Sequence, residues 1–291
     1  MTTEHSGNTH SGQDNGVPFV HARTGRRLHW HHAMEKRMNT GKVTLVSAGP
    51  GDLDLLTFRA AKAIAAGDVL LIDDLVNDDI ATLKAAHARV VRVGKRGGCK
   101  STPQAFIQRL MRRYALQGKH VVRIKGGDAL LFGRAGEEIA DLRHAGIEVE
   151  IVNGISSGFA AAAGLGVSLT HRDHCQGVIF VTAHLRDGTE PDWATLAATG
   201  MTLAIYMGAS RIDSISETLC KTLAADTPAA VVQWAGTSRE RKVCATLGEI
   251  AACAAEQGIA SPAVILIGGA IGEAMVELST RSEPAMRRLS A

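Results

Sequence analysis

The stretch HVVRIKGGDALLFGRAGEE, residues 120–138, decides the fold of this chain. It opens with a short apolar run rich in β-branched residues, which reads as a strand buried on both faces. Gly126, Gly127 and Asp128 stand where the strand ends. They suit backbone that wraps closely around a ligand, with Asp128 available to a hydroxyl or amine; an Asp-capped turn is the plainer alternative. Gly133 and Gly136 flank Arg134 just ahead of a helix expected over 136–145. A buried strand, a glycine loop and a helix form one arm of a parallel βαβ unit.

The same alternation extends outward. Upstream, VTLVSAG (43–49) reads as a strand, GPGD (49–52) as a loop, and LDLLTFRAAKAIAAG (53–67) as a helix closed by Gly67. DVLLIDDLV (68–76) and RVVRVGK (89–95) read as strands, and Pro103 opens a helix that Gly118 closes. Downstream, EVEIVNG (148–154) leads into the small-residue segment SSGFAAAAG (156–164). After LTHRDH (169–174) come VIFVTAH (178–184), TLAIYMG (202–208), PAAVVQWAG (228–236), KVCATL (242–247) and PAVILIGG (262–269). Between 236 and 242 there is no room for a crossover helix, so that pair reads as an antiparallel hairpin. The expectation is an α/β protein of two α/β domains: a mainly parallel N-terminal sheet, a mixed C-terminal sheet, and a ligand cleft between them. Its bounds are a flexible His-rich extension over 1–40, domains over 41–168 and 169–280, and a tail over 281–291.

Composition narrows the function. Thirty-two basic and 29 acidic residues leave a net charge of +3, which is no nucleic-acid footprint. Eleven Phe, Trp and Tyr among 291 residues argue against a base-stacking platform. No apolar run approaches the length of a membrane span, and the first forty residues lack a secretory core. Five widely spaced cysteines fit isolated thiols in a reducing compartment, so a cytoplasmic protein is expected. GxSxG, HExxH, CxxC and the Walker lysine loop are all missing, and no metal site is expected.

Several residues stand at strand ends, the position that binds ligands in open α/β sheets. Asp73 and Asp74 end one strand. Lys95 with Arg96, Arg123 with Lys125, Arg134, and Arg172 within HRDH are basic groups that could converge on a polyanion. Met207 ends TLAIYMG, where it could shape a pocket for a flat ring or a thioether. The residues alone lead to a two-part α/β enzyme that binds a large organic cofactor and an anion.

These motifs, taken in order, resemble the tetrapyrrole methylases, and within them the uroporphyrinogen-III C-methyltransferase branch. The resemblance runs from Gly41 to Gly272. It rests on SAGPGDLDLLTFRA, DVLLIDDLVNDD, VGKRGG, VVRIKGGDALLFGRAGEE, VNGISS, GVSLTHRD, FVTAH, YMG, TPAAVVQWAGT and SPAVILIG. It implies a homodimer that binds S-adenosylmethionine in the interdomain cleft and leaves S-adenosylhomocysteine. The implied reaction methylates uroporphyrinogen III at C2 and C7 to give precorrin-2, which feeds sirohaem and cobalamin. A relative acting on a later precorrin, or a non-catalytic cofactor or tetrapyrrole binder, is the alternative.

Carried over by motif, the cofactor contacts would be Pro50, Gly126, Gly127, Asp128, Leu131, Ser156, Ser157, Met207 and Gly236. Asp73 would handle a proton and Lys95 would face the substrate, while Arg96, Arg123, Arg134 and Arg172 would meet its eight carboxylates. The chain departs from the family pattern at YDRLV, which here reads IDDLV: Ile72 replaces Tyr, and Asp74 replaces Arg. GGDPF has become GGDAL, PGIT has become NGIS, and GRGGEE has become GRAGEE. A carboxylate at position 74 reverses the local sign beside Asp73, which bears on a polycarboxylate substrate.

Overall fold

The computed structural model describes residues 40–94, 102–185 and 188–275. The His-rich extension up to residue 39, Lys95, Arg96 and the tail expected over 281–291 lie outside them. The first sheet holds β1 (Lys42–Ser47), β2 (Val69–Ile72), β3 (Arg89–Arg92), β4 (Val121–Lys125) and β5 (Glu148–Val152). All pairings are parallel, in the order β3-β2-β4-β1-β5. Its helices are α1 (Phe58–Ala65), α2 (Gln104–Ala115) and α3 (Ala135–His144). Val43, Leu45 and Leu71 pack with Ile107, Met111 and Leu142 on the α2/α3 face. Val46, Leu70 and Ile124 pack with Ala60 and Ile64 of α1 on the other. Burial on both faces is why these strands are continuously apolar.

The single helix expected over 53–67 is broken. Asp52 accepts from the Asp54 N–H and caps one 3-10 turn, Leu53–Leu55. Thr57 then accepts from the Ala60 N–H and starts α1. Two successive capping side chains give the backbone two helix starts.

The small-residue segment is a helix, α4 (Ser157–Leu165). Ala160, Ala161, Ala162 and Leu165 pack against Ala204, Ala230, Val232 and Leu266 of the second sheet. That sheet holds β6 (Val178–Thr182), β7 (Thr202–Tyr206), β8 (Pro228–Gln233), β9 (Arg241–Thr246) and β10 (Ala263–Ile267), in the order β6-β7-β10-β8-β9. Only β6 with β7 is parallel; β8 and β9 form the expected antiparallel hairpin. Three helices between these strands, α5 (Trp193–Ala198), α6 (Ile212–Leu219) and α7 (Ile250–Glu256), cover the face opposite α4. The fold is therefore two α/β layers, one sheet parallel and the other mixed.

Candidate functional site

Strand order locates the site. The connection leaving β1 runs toward β2, and the one leaving β4 runs back past β1 to β5. Those two cross, whereas the neighbours β2 and β4 send theirs apart, β2 to β3 and β4 to β5, and strands whose connections diverge open a crevice at their carboxyl ends. The two glycine loops meet there: the Gly49 N–H donates to the Gly127 carbonyl at 3.1 Å, and the Gly127 N–H to the Gly49 carbonyl at 2.7 Å. A Cβ on Gly126 would lie 3.2 Å from the Leu75 carbonyl oxygen, so this loop presses on the one that follows Asp73.

Asp128 ties the next loop in. Its Oδ1 accepts from Leu130 N, and its Oδ2 accepts from Gly154 N at 3.1 Å. Ser47 Oγ accepts from Ala129 N at 2.8 Å, which fixes the start of the turn that carries Leu131. Asp128 is thus a loop clamp, with its carboxylate only partly buried.

The carboxyl ends of β7 and β8 close over these loops. Pro50 stands against Gly236, where an added Cβ would come within 2.6 Å of the proline Cγ. Asp52 N donates to the Gly236 carbonyl at 3.0 Å. The Phe132 ring lies 4.9 Å from that of Tyr206. The Tyr206 hydroxyl meets Ser156 Oγ at 2.7 Å and accepts from Gly158 N at 2.8 Å. Ser156 is therefore buried in a bond to Tyr206, and Ser157 begins α4 beside Gly127. A cavity of about 560 Å³ opens beside this seam, lined by Leu55, Ile155, Phe159, Gly236 and Glu240, within the usual size of small-molecule sites.

Backbone strain marks the same place. Among the described residues, four non-glycine positions have positive φ: Phe132 (53°), Arg134 (55°), Met207 (57°) and Trp234 (52°). All follow the carboxyl ends of β4, β7 or β8. Such conformations persist only where the surroundings over-determine them, and they gather at ligand sites. Met207 is held in this way while its side chain stays largely exposed.

The proposed acid sits over a buried charge cluster. Asp73 Oδ2 accepts from Arg123 Nη2 at 3.1 Å, and its Oδ1 accepts from Asp74 N. Arg123 is 1% exposed and also donates Nε to Glu138 Oε1 at 3.3 Å. Lys125 Nζ lies 3.5 Å from Glu138 and 3.9 Å from Asp73. Burial, and then the Arg123 charge, hold the Lys125 ammonium below its usual value, while Glu138 and Asp73 oppose that shift.

The arginines divide. Arg123, expected to meet substrate carboxylates, is instead a buried partner of Asp73 and Glu138, because β4 aims it beneath α3. Arg134 occupies the position just before α3, where its side chain makes no capping bond, and is paired through two bonds to Glu137. Arg172 is exposed but is not brought to the loops. Its turn closes through a His171–Cys175 bridge, and Cys175 Sγ contacts Thr202 at the amino end of β7. Met207 is five residues away, or roughly 16 Å along the strand. Asp74 is exposed and pairs with no cation among the described residues. Lys125, Glu138, Tyr206 and Phe132 were not singled out as site residues from sequence. Lys125 was named beside Arg123, and the other three lay inside quoted motifs, Tyr206 in YMG and Phe132 and Glu138 in LLFGRAGEE, without a role of their own.

Among the described residues no three His, Cys, Asp or Glu side chains gather as metal ligands, and no helix is long and apolar enough to cross a membrane. Residues 42–251 match the family model of the tetrapyrrole (corrin/porphyrin) methylases. The uroporphyrinogen-III C-methyltransferase of Pseudomonas aeruginosa is 49% identical over 230 residues, covering 79% of this chain and 94% of that protein. The sirohaem synthase of Chromobacterium violaceum is 46% identical over 243 residues, 81% of this chain; the match spans only 52% of that longer protein. The crystal structure of uroporphyrin-III C-methyltransferase from Thermus thermophilus, complexed with S-adenyl homocysteine, superposes with a TM-score of 0.69 at 36% identity. It covers 80% of this chain and all of that one. With its crevice at the β2/β4 switch point and its sequence matched over most of the described fold, the chain belongs to the tetrapyrrole (corrin/porphyrin) methylase family.

Proposed function

We propose that this protein is an S-adenosylmethionine-dependent C-methyltransferase that converts uroporphyrinogen III to precorrin-2 by methylation at C2 and C7. The observation that carries the reading is the pair of glycine loops locked back to back at the switch point, beside the Asp73 carboxylate. The residues present fit the cofactor: a Cβ built on Gly127 would meet nothing nearer than 3.8 Å, so its cleft side is open to a ligand against bare backbone. Pro50, Gly126, Gly127, Asp128, Leu131, Ser156, Ser157, Met207 and Gly236 would hold it. Several of them act through the loop and strand geometry described above.

When bound, the sulfonium supplies a methyl group that is already electrophilic, so the protein's task is orientation and proton management. Asp73 is held from below by Arg123, which leaves outward lone pairs to accept a pyrrole N–H or the proton that the macrocycle loses elsewhere as its π-system rearranges, the methylated carbon itself being quaternary. Lys95, Arg96 and Arg134 are the proposed partners of the substrate carboxylates. Arg134 would exchange Glu137 for a substrate carboxylate at little cost, because an exposed ion pair is weak. The same reading carries a homodimer, a cytoplasmic location, and division into domains 41–168 and 169–280.

The test is an anaerobic incubation with uroporphyrinogen III and S-adenosylmethionine, followed by mass spectrometry and NMR of the product. Gain of two methyl groups at C2 and C7 is expected. Asp73→Asn should bind S-adenosylhomocysteine normally and lose about 10²-fold or more in turnover. Homocysteine-nucleoside binding without methyl gain would refute the substrate assignment.

A further inference from the structure

The cluster beneath Asp73 is an unusual use of a core. Arg123, Lys125 and Glu138 are 1%, 4% and 0% exposed. Removing three charges from water costs several kcal/mol each, and well-packed apolar side chains would serve the fold as well. Such a cluster is weak evidence for stability.

Its geometry has a direction. Glu138 on α3 gathers three donors on one oxygen: Arg123 Nε at 3.3 Å, Lys125 Nζ at 3.5 Å and Gln104 Nε2 of α2 at 2.8 Å. Its second oxygen is buried with no partner among the described residues. Arg123 also donates Nη1 toward the Leu71 and Ile124 carbonyls, which fixes the guanidinium plane across β2 and β4. Its remaining bond goes to Asp73, the one member of the set with substantial exposure, at 35%. Two cations and two carboxylates balance, and the network has a single outlet at the crevice.

We propose that Glu138 is a positioning residue: through Arg123 it fixes the orientation of the Asp73 carboxylate at the mouth of the cleft. The inference rests on the reading of Asp73 as the reacting acid or hydrogen-bond acceptor. Neutralising Glu138 leaves Arg123 and Lys125 facing Asp73 alone. Asp73 is then drawn inward to compensate them, and its outward lone pairs turn away from substrate.

The experiment uses the full chain and the variants E138Q, D73N, E138Q/D73N and R123K. E138Q should lower kcat about 10-fold or more, with the KM for S-adenosylmethionine within twofold of wild type. In the D73N background, E138Q should cost less than twofold, because the group it positions is already gone. Crystal structures of wild type and E138Q supply a readout independent of turnover: the Arg123–Asp73 geometry should change in the variant. R123K keeps the charge but not the planar fork, and it should reproduce the kcat loss; it stands in if E138Q does not fold. Unchanged kcat with unchanged Asp73 geometry overturns the proposal, as does an equal loss in both backgrounds. A wild type that methylates no uroporphyrinogen III would refute the substrate assignment, and the crystal structures would still decide the positioning.

Discussion

Replacing Gly236 by alanine tests whether the seam between the two sheets is as rigid as its geometry implies. Gly236 has φ of 69°, and a Cβ there would stand 2.6 Å from Pro50 Cγ and 2.9 Å from Pro50 Cβ. The left-handed conformation alone costs an alanine about 1–2 kcal/mol. Pro50 is a ring with little freedom, and its loop is pinned by the Asp52-to-Gly236 and Gly49–Gly127 bonds. Forcing a methyl into that space should therefore add about 1–3 kcal/mol. Gly200 separates the two effects: its φ is 66°, yet an added Cβ would meet nothing within 4 Å. Urea unfolding should give G200A the conformational cost only, and G236A about twice that or more. Adding Pro50→Gly to G236A removes both clashing atoms and should recover most of the difference. Titration with S-adenosylhomocysteine should show weakened binding in G236A and normal binding in G200A. Equal destabilisation of the two alanine variants would refute the argument, because it would mean that the Pro50 loop yields freely.

Three further outcomes follow from the same structure. Tyr206→Phe strips the hydroxyl shared by buried Ser156 and Gly158 N, and should destabilise by about 1–3 kcal/mol in urea unfolding. Arg134→Ala breaks an exposed pair, so stability should change by less than about 1 kcal/mol, while the KM for an octacarboxylate substrate rises severalfold. Asp68 accepts from His120 N at 2.9 Å, and that bond holds its carboxyl below the ordinary carboxylate value. A depressed carboxyl stabilises the fold above its unfolded value and loses that stabilisation as pH falls through its folded value. Asp68→Asn should thus lower stability near pH 7 by at most about 1 kcal/mol, with the gap to wild type closing on acidification below pH 4, as unfolding curves across pH would show.

Much of this molecule was legible in its residues. The apolar strands, the glycine loops at their carboxyl ends and the close spacing of 228–236 with 242–247 are local patterns. Local patterns determine which segments are strands and that the second sheet is mixed. They also marked the GPGD and KGGD loops, with Pro50, Gly126, Gly127 and Asp128, because glycine-rich backbone next to a strand end is visible in one dimension; Gly236 entered only through the family resemblance. The break between Leu55 and Phe58 escaped because two capping side chains compete within six residues, and periodicity does not rank them.

What the chain's linear order could not decide is where a charge points. Arg123, Arg134 and Arg172 look alike at strand ends, yet one lies in the core, one is exposed at the start of α3, and one sits in the turn that docks at the amino end of β7. That sorting depends on which face β4 turns toward α3, and on which end of β7 the 171–175 turn docks. Glu138 stood inside GRAGEE but drew no role of its own, because a glutamate in the first turn of a helix is ordinarily a solvated charge favoured by the helix dipole. Only the packing of α3 over β4 buries it, and burial converts a common surface residue into the anchor of Arg123 and, through it, of Asp73. Strand pairing is written in side-chain periodicity; the partners of a buried ion are set by long-range packing, which no local pattern encodes.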